Sequence, residues 1–551
     1  MEPDCPPASL IDRIVREAYL QTMNKFKLFR FGKVSPWHGL LFILFSISNV
    51  AAQKNQVYLP PAFDDPDRIK RIEQVLPAID SIFKSYAAAR QFPSLSYGIV
   101  ADGRLLTTGS TGFIRTTAKI KASSSSMYRI ASMSKSVTAL CILQLRDAGK
   151  LRLDDPAGIY FPGLKTNKLL TKDAPEITIR HLLTHAAGFP EDNPWGDRQL
   201  DDSKDDLMQL IQQGTWFSNV PGVAYEYSNL GFALLGQIVE KVSGQTLEVY
   251  TREKIFKPLG MARTQWEYSK VQPAQLAKGY RMIDKAWVEE PLLHHGTYGA
   301  MGGLITSIDD FYRYVSLHMS AWPPRDEAES PVLKRSSLRE MHMPANFSGF
   351  DPAYKYPSGR VCGVVSAYVY GLNWLRDCEN RIYVGHSGGL PGFGSQWRFL
   401  PEYGIGVISF ANLTYAGLTN INLQVLDTLI RRAKLSPRVL PASSILVTRK
   451  NQLMQLLPDW KEEVLRPLTT GSGQIFAENF FSDYPLEAMR NNHQALFKTM
   501  GKLIAVEDWK AENQLRGSYV LRGEKTKLRV FYTLTPENPP LVQELRIHEI
   551  N

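Results

Sequence analysis

Apolar residues recur every three or four positions between residues 68 and 91, a spacing that predicts an amphipathic helix. They are Ile69, Ile72, Val75, Leu76, Ile79, Ile82 and Phe83. Apolar and polar residues then alternate at 94–100 and 104–109, around a turn sequence at 101–103. That pattern predicts a β-hairpin directly after the first helix.

Helical patterns dominate the next part of the chain, and strand patterns return later. The predicted helices are a very apolar one that follows Ser132, then 205–213, 230–242, 307–316 and a closing one at about 419–433. The predicted later strands are 370–375, 381–384, 395–400 and 405–409. Strands at both ends of a helical insert predict an α/β (α+β) fold, with one antiparallel sheet flanked by helices plus a helical subdomain.

The last hundred residues have a plan of their own. Residues 434–450, which include Pro437 and Pro441, have the composition of a linker. The elements predicted beyond it are helices at 478–489 and 492–503 and strands at 517–521, 527–534 and 541–547. We therefore predict two domains, at 62–435 and 451–551, the second a small C-terminal α+β domain.

The N-terminal region has the pattern of a bacterial export signal. Four basic residues between 25 and 33 precede an apolar segment at 40–50, and the small residues Val50-Ala-Ala52 follow. This order predicts that residues 1–52 are an N-terminal extension and signal peptide. The apolar segment is shorter than the about 20 residues that span a bilayer, which disfavours the alternative of an uncleaved membrane anchor. We expect a periplasmic or secreted protein.

Composition and charge exclude some functions. At 551 residues, with 44% hydrophobic and 21% charged residues, the chain is globular and long enough for two to four domains. The net charge is +10, and residues 1–52 contribute +2 of it, leaving +8 for a mature chain. We find no dense basic run, so nucleic acid is not an expected partner. The charge is compatible with a loose association with anionic surfaces of the cell envelope.

Ser132 and Lys135 lie three residues apart at the start of the very apolar helix. Residues at that spacing share one helix face, so the lysine amine is directed towards the serine hydroxyl. A serine hydroxyl needs an adjacent base to act as a nucleophile. Burial lowers the pKa of a lysine and allows it to be that base.

A second motif, Tyr227-Ser-Asn229, follows a Pro-Gly turn and precedes another apolar helix. Its loop position allows side chains to project into a cleft. A phenol can carry protons between a nucleophile and a leaving group, and the Asn229 amide can orient both Lys135 and a substrate carbonyl. Helix capping is the alternative interpretation of Ser and Asn at this position.

A third motif combines a strand with glycines, in Gly385-His386-Ser387-Gly388-Gly389. Glycine lets the backbone come close to a ligand because it has no Cβ atom. The edge of such a strand can offer a backbone N–H to an oxyanion.

In this order, the three motifs closely resemble those of the serine β-lactamase and penicillin-binding-protein superfamily. The middle motif is similar to that of the class C branch and its relatives among D-aminopeptidases, D,D-carboxypeptidases and esterases. Further segments that agree lie at 153–156, 179–188, 256–261 and 299–304. The resemblance covers roughly residues 68–433 and implies a serine β-lactamase-like fold.

The resemblance implies that Ser132 is the nucleophile, Lys135 its base partner and Tyr227 a proton carrier. It implies that Asn229, His386, Gly388 and Gly389 contact the substrate, with the backbone N–H groups of Ser132 and Gly389 as the oxyanion hole. The sequence departs from β-lactamases at His386, where they carry a lysine that helps to hold the β-lactam carboxylate. A histidine is mostly neutral at pH 7, which makes efficient β-lactam hydrolysis doubtful.

The function implied is that of an exported serine hydrolase that works through an acyl-enzyme, without metal or cofactor. Its expected partner is a small-molecule ester, a D-amino-acid-containing peptide or amide, or a substrate derived from peptidoglycan. Two alternatives stay open: a β-lactamase, and a penicillin- or peptidoglycan-binding protein that is acylated but barely turns over.

Two residue pairs need separate consideration. His181 and His185 have the spacing of a zinc pair, but we find no third ligand, which favours a packing role. Cys362 and Cys378 lie 16 residues apart, and an exported protein can bridge them. The sequence does not give the Cα separation that a disulfide requires, so both states of that pair stay open.

Overall fold

The computed structural model describes residues 58–166, 169–469 and 471–550. The predicted extension and signal peptide at 1–52 lies outside these residues. Within the described ranges, no helix is both long enough and apolar enough to cross a membrane. Leu59–Asn551 forms one compact unit, so the division into domains at 62–435 and 451–551 stays a prediction.

Strands form one large sheet and three smaller ones. The strands are β1 Ser94–Ala101, β2 Arg104–Arg115, β3 Ile120–Lys121, β4 Tyr128–Arg129, β5 Gly279–Ile283, β6 Ala286–Glu290, β7 Ile305–Thr306, β8 Asn346–Asp351, β9 Val364–Tyr368, β10 Asn373–Asp377, β11 Ile382–Leu390, β12 Phe393–Leu400, β13 Ile405–Ala411, β14 Leu503–Asn513, β15 Arg516–Gly523, β16 Lys527–Leu534 and β17 Val542–Ile550. The large sheet has the order β3-β2-β1-β13-β12-β11-β10-β9-β8, and β14 to β17 form a sheet in sequence order. Strand β4 pairs with β7, and β5 pairs with β6.

Helices cover both faces of the large sheet and form the insert between its strands. The α-helices are α1 Arg68–Ala89, α2 Ser134–Asp147, α3 Pro162–Thr166, α4 Ile179–Leu183, α5 Lys204–Gln213, α6 Asn229–Ser243, α7 Leu247–Thr251, α8 Lys257–Leu259, α9 Gly299–Gly302, α10 Ile308–Met319, α11 Arg335–Glu340, α12 Thr419–Arg432, α13 Ser444–Leu456, α14 Glu462–Leu465, α15 Phe480–Asp483 and α16 Leu486–Met500.

The large sheet separates two hydrophobic cores. Successive side chains of a strand point to opposite faces, and in β13 Val407 packs with helices α1 and α12, whereas Ile408 packs with α2, α6 and α10. Both side chains are fully buried. Because both faces are covered, β12 and β13 are buried along their whole length. Burial on both faces also explains why these strands show little polar alternation.

The antiparallel sheet flanked by helices confirms the predicted fold class, and the β1–β2 hairpin follows the first helix as expected. One strand prediction was wrong. Residues 370–375 do not form one strand, because Gly371 adopts a φ of 69° in a turn, and β9 and β10 lie on either side of it. The continuous apolar run through this turn concealed the hairpin.

The C-terminal region differs from its prediction at three places. The linker predicted at 434–450 contains the start of α13, because the Ser443 side chain accepts a hydrogen bond from Leu446 N and caps that helix. The predicted break near residue 490 lies inside α16, where Met489, His493 and Met500 are buried at helical spacing. Strand β14 begins at Leu503, the residue predicted to end a helix, and it covers a stretch up to Asn513 for which no element was predicted.

Four antiparallel strands and the helices before them enclose a third hydrophobic core, in agreement with the expected α+β plan. Its largest fully buried side chains include Trp460, Tyr519 and Tyr532. In the main sheet region, Cys362 and Cys378 form a disulfide with a Cα–Cα distance of 5.4 Å, which settles the pairing that the sequence left open.

Candidate active site

Ser132 lies in a tight turn between β4 and α2, spanning Ala131–Met133. Ala131 has a left-handed backbone conformation, with a φ of 50°. Such conformations cost free energy and cluster at functional sites. Strand β11 packs closely against the turn, because a Cβ atom on Gly388 would lie 2.3 Å from the carbonyl oxygen of Ile130. The turn presents Ser132 to a surface cleft.

Lys135 lies one helical turn beyond Ser132 and is fully buried. Its Nζ donates hydrogen bonds to Ser132 Oγ at 3.1 Å, to Asn229 Oδ1 at 2.7 Å and to the carbonyl oxygen of Met301 at 3.0 Å. All three acceptors are uncharged. The amine is therefore held by three fixed groups, one of which is the candidate nucleophile.

Burial lowers the pKa of Lys135 from 10.5 to about 7, against the opposing effect of the nearby carboxylates Asp197 and Asp192. Desolvation disfavours the charged form of an amine. With this pKa, a large fraction of the amine is neutral at pH 7 and able to accept the proton of Ser132. The base that serine chemistry requires is thus available without a histidine.

Tyr227 lies on the other side of the serine hydroxyl. Both residues line the cleft, and burial holds the pKa of Tyr227 well above its ordinary value of 10.0, against the opposing effect of Ser132. Lys135 Nζ lies 4.8 Å from the centre of its ring. The phenol is consequently protonated at neutral pH. A proton carrier must start in this state, because it donates its own proton as it receives another.

Asn229 is the first residue of α6 and is held from both sides. Its backbone N–H donates to Asp192 Oδ1 at 2.6 Å, and the N–H of Leu230 donates to Asp192 Oδ2 at 2.8 Å. Its side-chain Nδ2 donates to Asn193 Oδ1 at 2.6 Å. A carboxylate at a helix N-terminus satisfies N–H groups that have no partner within the helix. Asp192 thereby fixes the amide that in turn accepts the hydrogen bond from Lys135.

His386 lies on β11 and is almost fully buried. Its Nε2 is 2.9 Å from the hydroxyl of Tyr368, and its Nδ1 contacts the carbonyl oxygen of Ser387. Burial, with a smaller contribution from the charge of Lys135, lowers the pKa of His386 to about 3. The imidazole is therefore neutral at pH 7 and supplies no positive charge to the cleft.

The cleft has a volume of about 640 Å³. Its lining residues are Ser132, Glu191, Asn193, Asp197, Tyr225, Glu226, Tyr227, Asn373, His386, Ser387, Gly389 and Tyr415. Of the seven site residues predicted from the sequence, four line the cleft and three lie behind its wall. Those behind it are Lys135, Asn229 and Gly388.

Sequence reasoning missed a loop that completes the site. Asp192, Asn193 and Asp197 lie between α4 and α5, and the last two line the cleft. Gly196 lets this loop approach α6, because a Cβ atom there would lie 2.9 Å from Asn229 Cβ. The one signal in the sequence is a cluster of acidic, amide, proline and glycine residues at 190–197, which is also the composition of an ordinary loop.

The two histidines with zinc-like spacing have separate local partners. His181 Nδ1 accepts a hydrogen bond from Thr178 N at the start of α4. His185 is buried, its Nδ1 accepts from Ser228 N at 3.1 Å, and its ring lies 4.3 Å from the ring of Tyr227. His185 therefore supports the loop that carries Tyr227, in keeping with the packing role that the sequence favoured.

Comparison with known proteins identifies the same region of the chain. The sequence model of the Beta-lactamase family matches residues 79–429. Protein flp from Staphylococcus aureus (strain COL) is 25% identical over 433 residues, 78% of this chain and 78% of that protein. Penicillin-binding protein 4* from Bacillus subtilis (strain 168) is 26% identical over 336 residues, 57% of this chain and 67% of that protein.

Solved structures share the fold. The octameric penicillin-binding protein homologue from Pyrococcus abyssi matches with a TM-score of 0.54 and 21% identity, over 86% of this chain and 95% of that one. The D-alanine carboxypeptidase AmpC from Burkholderia cenocepacia matches with a TM-score of 0.51 and 17% identity, over 65% of this chain and 99% of that one.

Proposed function

This chain belongs to the Beta-lactamase family, and from that premise we propose that it is an exported serine hydrolase that forms an acyl-enzyme. Its substrates are esters or D-amino-acid-containing peptides and amides. The observation that carries the proposal is the 3.1 Å hydrogen bond between Lys135 Nζ and Ser132 Oγ, made by an amine whose pKa burial lowers to about 7.

In the proposed reaction, the neutral amine of Lys135 accepts the hydroxyl proton as Ser132 Oγ attacks the substrate carbonyl carbon. The negative charge moves to the carbonyl oxygen, which accepts hydrogen bonds from the backbone N–H groups of Ser132 and Gly389. Such fixed donors lower the barrier because they favour the charge that develops in the transition state.

Collapse of this intermediate expels the alcohol or amine, and Tyr227 passes a proton to it from Lys135. Water then attacks the acyl-enzyme, with the same groups acting in reverse, and releases the acid. Asn229 keeps Lys135 in position throughout, and Asp192 keeps Asn229 in position.

His386 favours this activity over β-lactam hydrolysis. A neutral, buried imidazole offers no charge to the carboxylate that β-lactams carry, and burial keeps the pKa of His386 far below neutral pH. The fold neighbour from Burkholderia cenocepacia is a D-alanine carboxypeptidase, which supports D-alanyl compounds as candidate substrates. Export rests on the signal pattern at 1–52, and the proposed place of action is the periplasm or the cell exterior, near the envelope.

The test is a substrate panel on the purified protein: a nitrophenyl ester, a D-alanyl amide and a chromogenic cephalosporin. We expect the ester or the amide to be hydrolysed, and Ser132→Ala to lower the rate by at least about 10³-fold. Ser348→Ala, on the exposed strand β8, is the matched control and should retain full activity.

Other outcomes decide against the proposal. Cephalosporin cleavage faster than that of the ester and the amide would indicate a β-lactamase. A single acylation of Ser132 without turnover, seen as a mass increase of the intact protein, would indicate a penicillin-binding protein that serves as a binder.

A further inference from the structure

The charged residues that line the cleft are all acidic: Glu191, Asp197 and Glu226. Neither lysine nor arginine is among the described residues of the lining. The hydrogen-bond partners of the two glutamates are neutral, since Asn193 donates to Glu191 at 3.4 Å and Asn219 donates to Glu226 at 2.5 Å. The ionised side chains of this lining are therefore all negative, an arrangement that favours a cationic group and disfavours a carboxylate.

Asp197 is the most deeply placed of the three, with 2% of its surface exposed. Its Oδ2 accepts a hydrogen bond from the hydroxyl of Tyr415 at 2.9 Å. Its Oδ1 is buried and has no hydrogen-bond donor in the part of the chain that the structure describes. The adjacent cation, Arg198, has its NH1 3.6 Å from Glu290.

A buried carboxylate oxygen without a donor is costly, and most such groups have a partner. Burial raises the pKa of Asp197 to about 6, opposed by Tyr415 and Lys135. The group is therefore mostly ionised at pH 7. A negative oxygen in the wall of a catalytic cleft is a suitable acceptor for a charged N–H donor on a bound substrate.

We propose that the cleft selects esters or amides that carry a free ammonium group, and that Asp197 Oδ1 accepts a hydrogen bond from that group while Glu191 and Glu226 attract it. This inference rests on the proposed hydrolase function and narrows its substrate class to unblocked amino-acid esters and amides. Tyr415 holds the carboxylate in position through its hydroxyl.

A purely structural explanation makes a different prediction. Asp197 also acts on Lys135 through its charge, so its removal could change catalysis with every substrate alike. If the cleft instead selects an ammonium group, the loss of activity in the variant must be larger for a substrate that carries this group than for one that lacks it. The comparison of a charged and an uncharged substrate in one variant separates the two explanations.

The experiment uses D-alanine methyl ester and methyl D-lactate, which differ by an ammonium in place of a hydroxyl of similar size. Rates of acid release at pH 7 are followed by titration for the wild type and for Asp197→Asn, which keeps the shape of the side chain. We expect the wild type to prefer the amino ester by about tenfold or more in kcat/KM. In Asp197→Asn this ratio should fall to about one.

Equal kcat/KM values for the two esters in the wild type would overturn the inference and leave the serine hydrolase proposal intact. A preference that is unchanged in Asp197→Asn would also overturn it. If neither ester is hydrolysed, selection can be tested without turnover. For this test, calorimetry measures the binding of each ester to the full-length Ser132→Ala protein. Tighter binding of the amino ester supports the inference even then, and equal or undetectable binding overturns it.

Discussion

The carboxylate of Asp192 accepts a hydrogen bond from the backbone N–H of Asn229 at 2.6 Å. This bond fixes the start of helix α6, whose first residue orients the active-site lysine. Asn229 accepts a hydrogen bond from Lys135, and Lys135 donates to Ser132. The geometry of the nucleophile thus depends on a loop carboxylate that touches neither the serine nor the lysine. Positioning of this kind is necessary because small displacements of catalytic groups reduce rates strongly.

Asp192→Ala should lower both stability and activity. It leaves two N–H groups of the helix start without their acceptor, and loss of a cap costs about 1 kcal/mol. We expect a lower thermal unfolding midpoint and a fall in kcat of about tenfold or more, because Asn229 is no longer held. Ser228→Ala is the matched control, since its hydroxyl makes only long bonds at the same helix start: it accepts from Gly231 N at 3.4 Å and donates to Asp192 Oδ2 at 3.5 Å. An Asp192→Ala protein with the activity of Ser228→Ala would contradict the positioning role.

The pH dependence of kcat/KM should follow the ionisation of Lys135. Only the neutral amine accepts a proton, so activity with an uncharged ester should rise with pH through about 7 and then level off. His386, with a pKa of about 3, should add no inflection near 6.5. The charge of Asp197 raises the pKa of Lys135, so Asp197→Asn should move the rising limb to lower pH. If the rising part of the pH profile stays in place or moves to higher pH in Asp197→Asn, Lys135 is not the titrating base.

Tyr227→Phe should lower kcat for an amide more than for an ester with a good leaving group. An amine leaving group must be protonated as it departs, whereas a nitrophenolate needs no proton, so loss of the proton carrier affects the two differently. We expect a decrease of about 10²-fold or more for the amide. Tyr225→Phe, which removes a phenol from the same cleft wall, is the matched control and should lose much less. Equal losses in the two variants would assign Tyr227 a packing role.

The sequence predicts the parts of the site that depend on local geometry. Ser132 lies in the tight turn that leads directly into α2, and Lys135 lies in the first turn of that helix. Their approach therefore follows from a short-range pattern, and the structure places Lys135 Nζ 3.1 Å from Ser132 Oγ. The β1–β2 hairpin and the closing helix α12 were likewise predictable from short-range patterns. The fold class followed from the order of these elements.

Long-range contacts could not be predicted in this way. Asp197 reaches the cleft because Gly196 packs against Asn229, more than thirty residues later in the chain. Tyr415, whose hydroxyl donates to Asp197, lies 218 residues after it in the chain. Neither Asp197 nor Tyr415 lies in a distinctive motif. Strand β14 was not predicted, and the structure forms it through antiparallel pairing with β15.

Removal of the Cys362–Cys378 disulfide should destabilise the protein. The bond closes a loop with a sequence separation of 16, and a loop of that size restricts the unfolded chain by about 3 kcal/mol. We expect the Cys362→Ala, Cys378→Ala double variant to unfold at a lower temperature than the wild type without reductant. Reductant should lower the midpoint of the wild type and leave the variant unchanged. Peptide mapping without reduction checks the bond directly, and free thiols at both Cys362 and Cys378 would contradict it.

Gly388→Ala should reduce activity and stability together. The added Cβ atom would lie 2.3 Å from the carbonyl oxygen of Ile130 and 2.4 Å from Ser395 Oγ, and backbone atoms cannot yield at such distances. Strand β11 must then move away from the turn that carries Ser132, and we expect a cost of about 1–3 kcal/mol, as for other overpacked sites. Displacement of the neighbouring Gly389 should lower kcat by about 10²-fold, the effect of losing one oxyanion donor.

Gly417→Ala provides the control for this substitution, because no heavy atom lies within 4 Å of a Cβ atom built at that position. It should leave kcat and the thermal midpoint close to those of the wild type. The two variants add the same methyl group, so any difference between them comes from the space around it. If Gly388→Ala behaves like Gly417→Ala in both measurements, the close approach of β11 to the Ser132 turn is not required for catalysis.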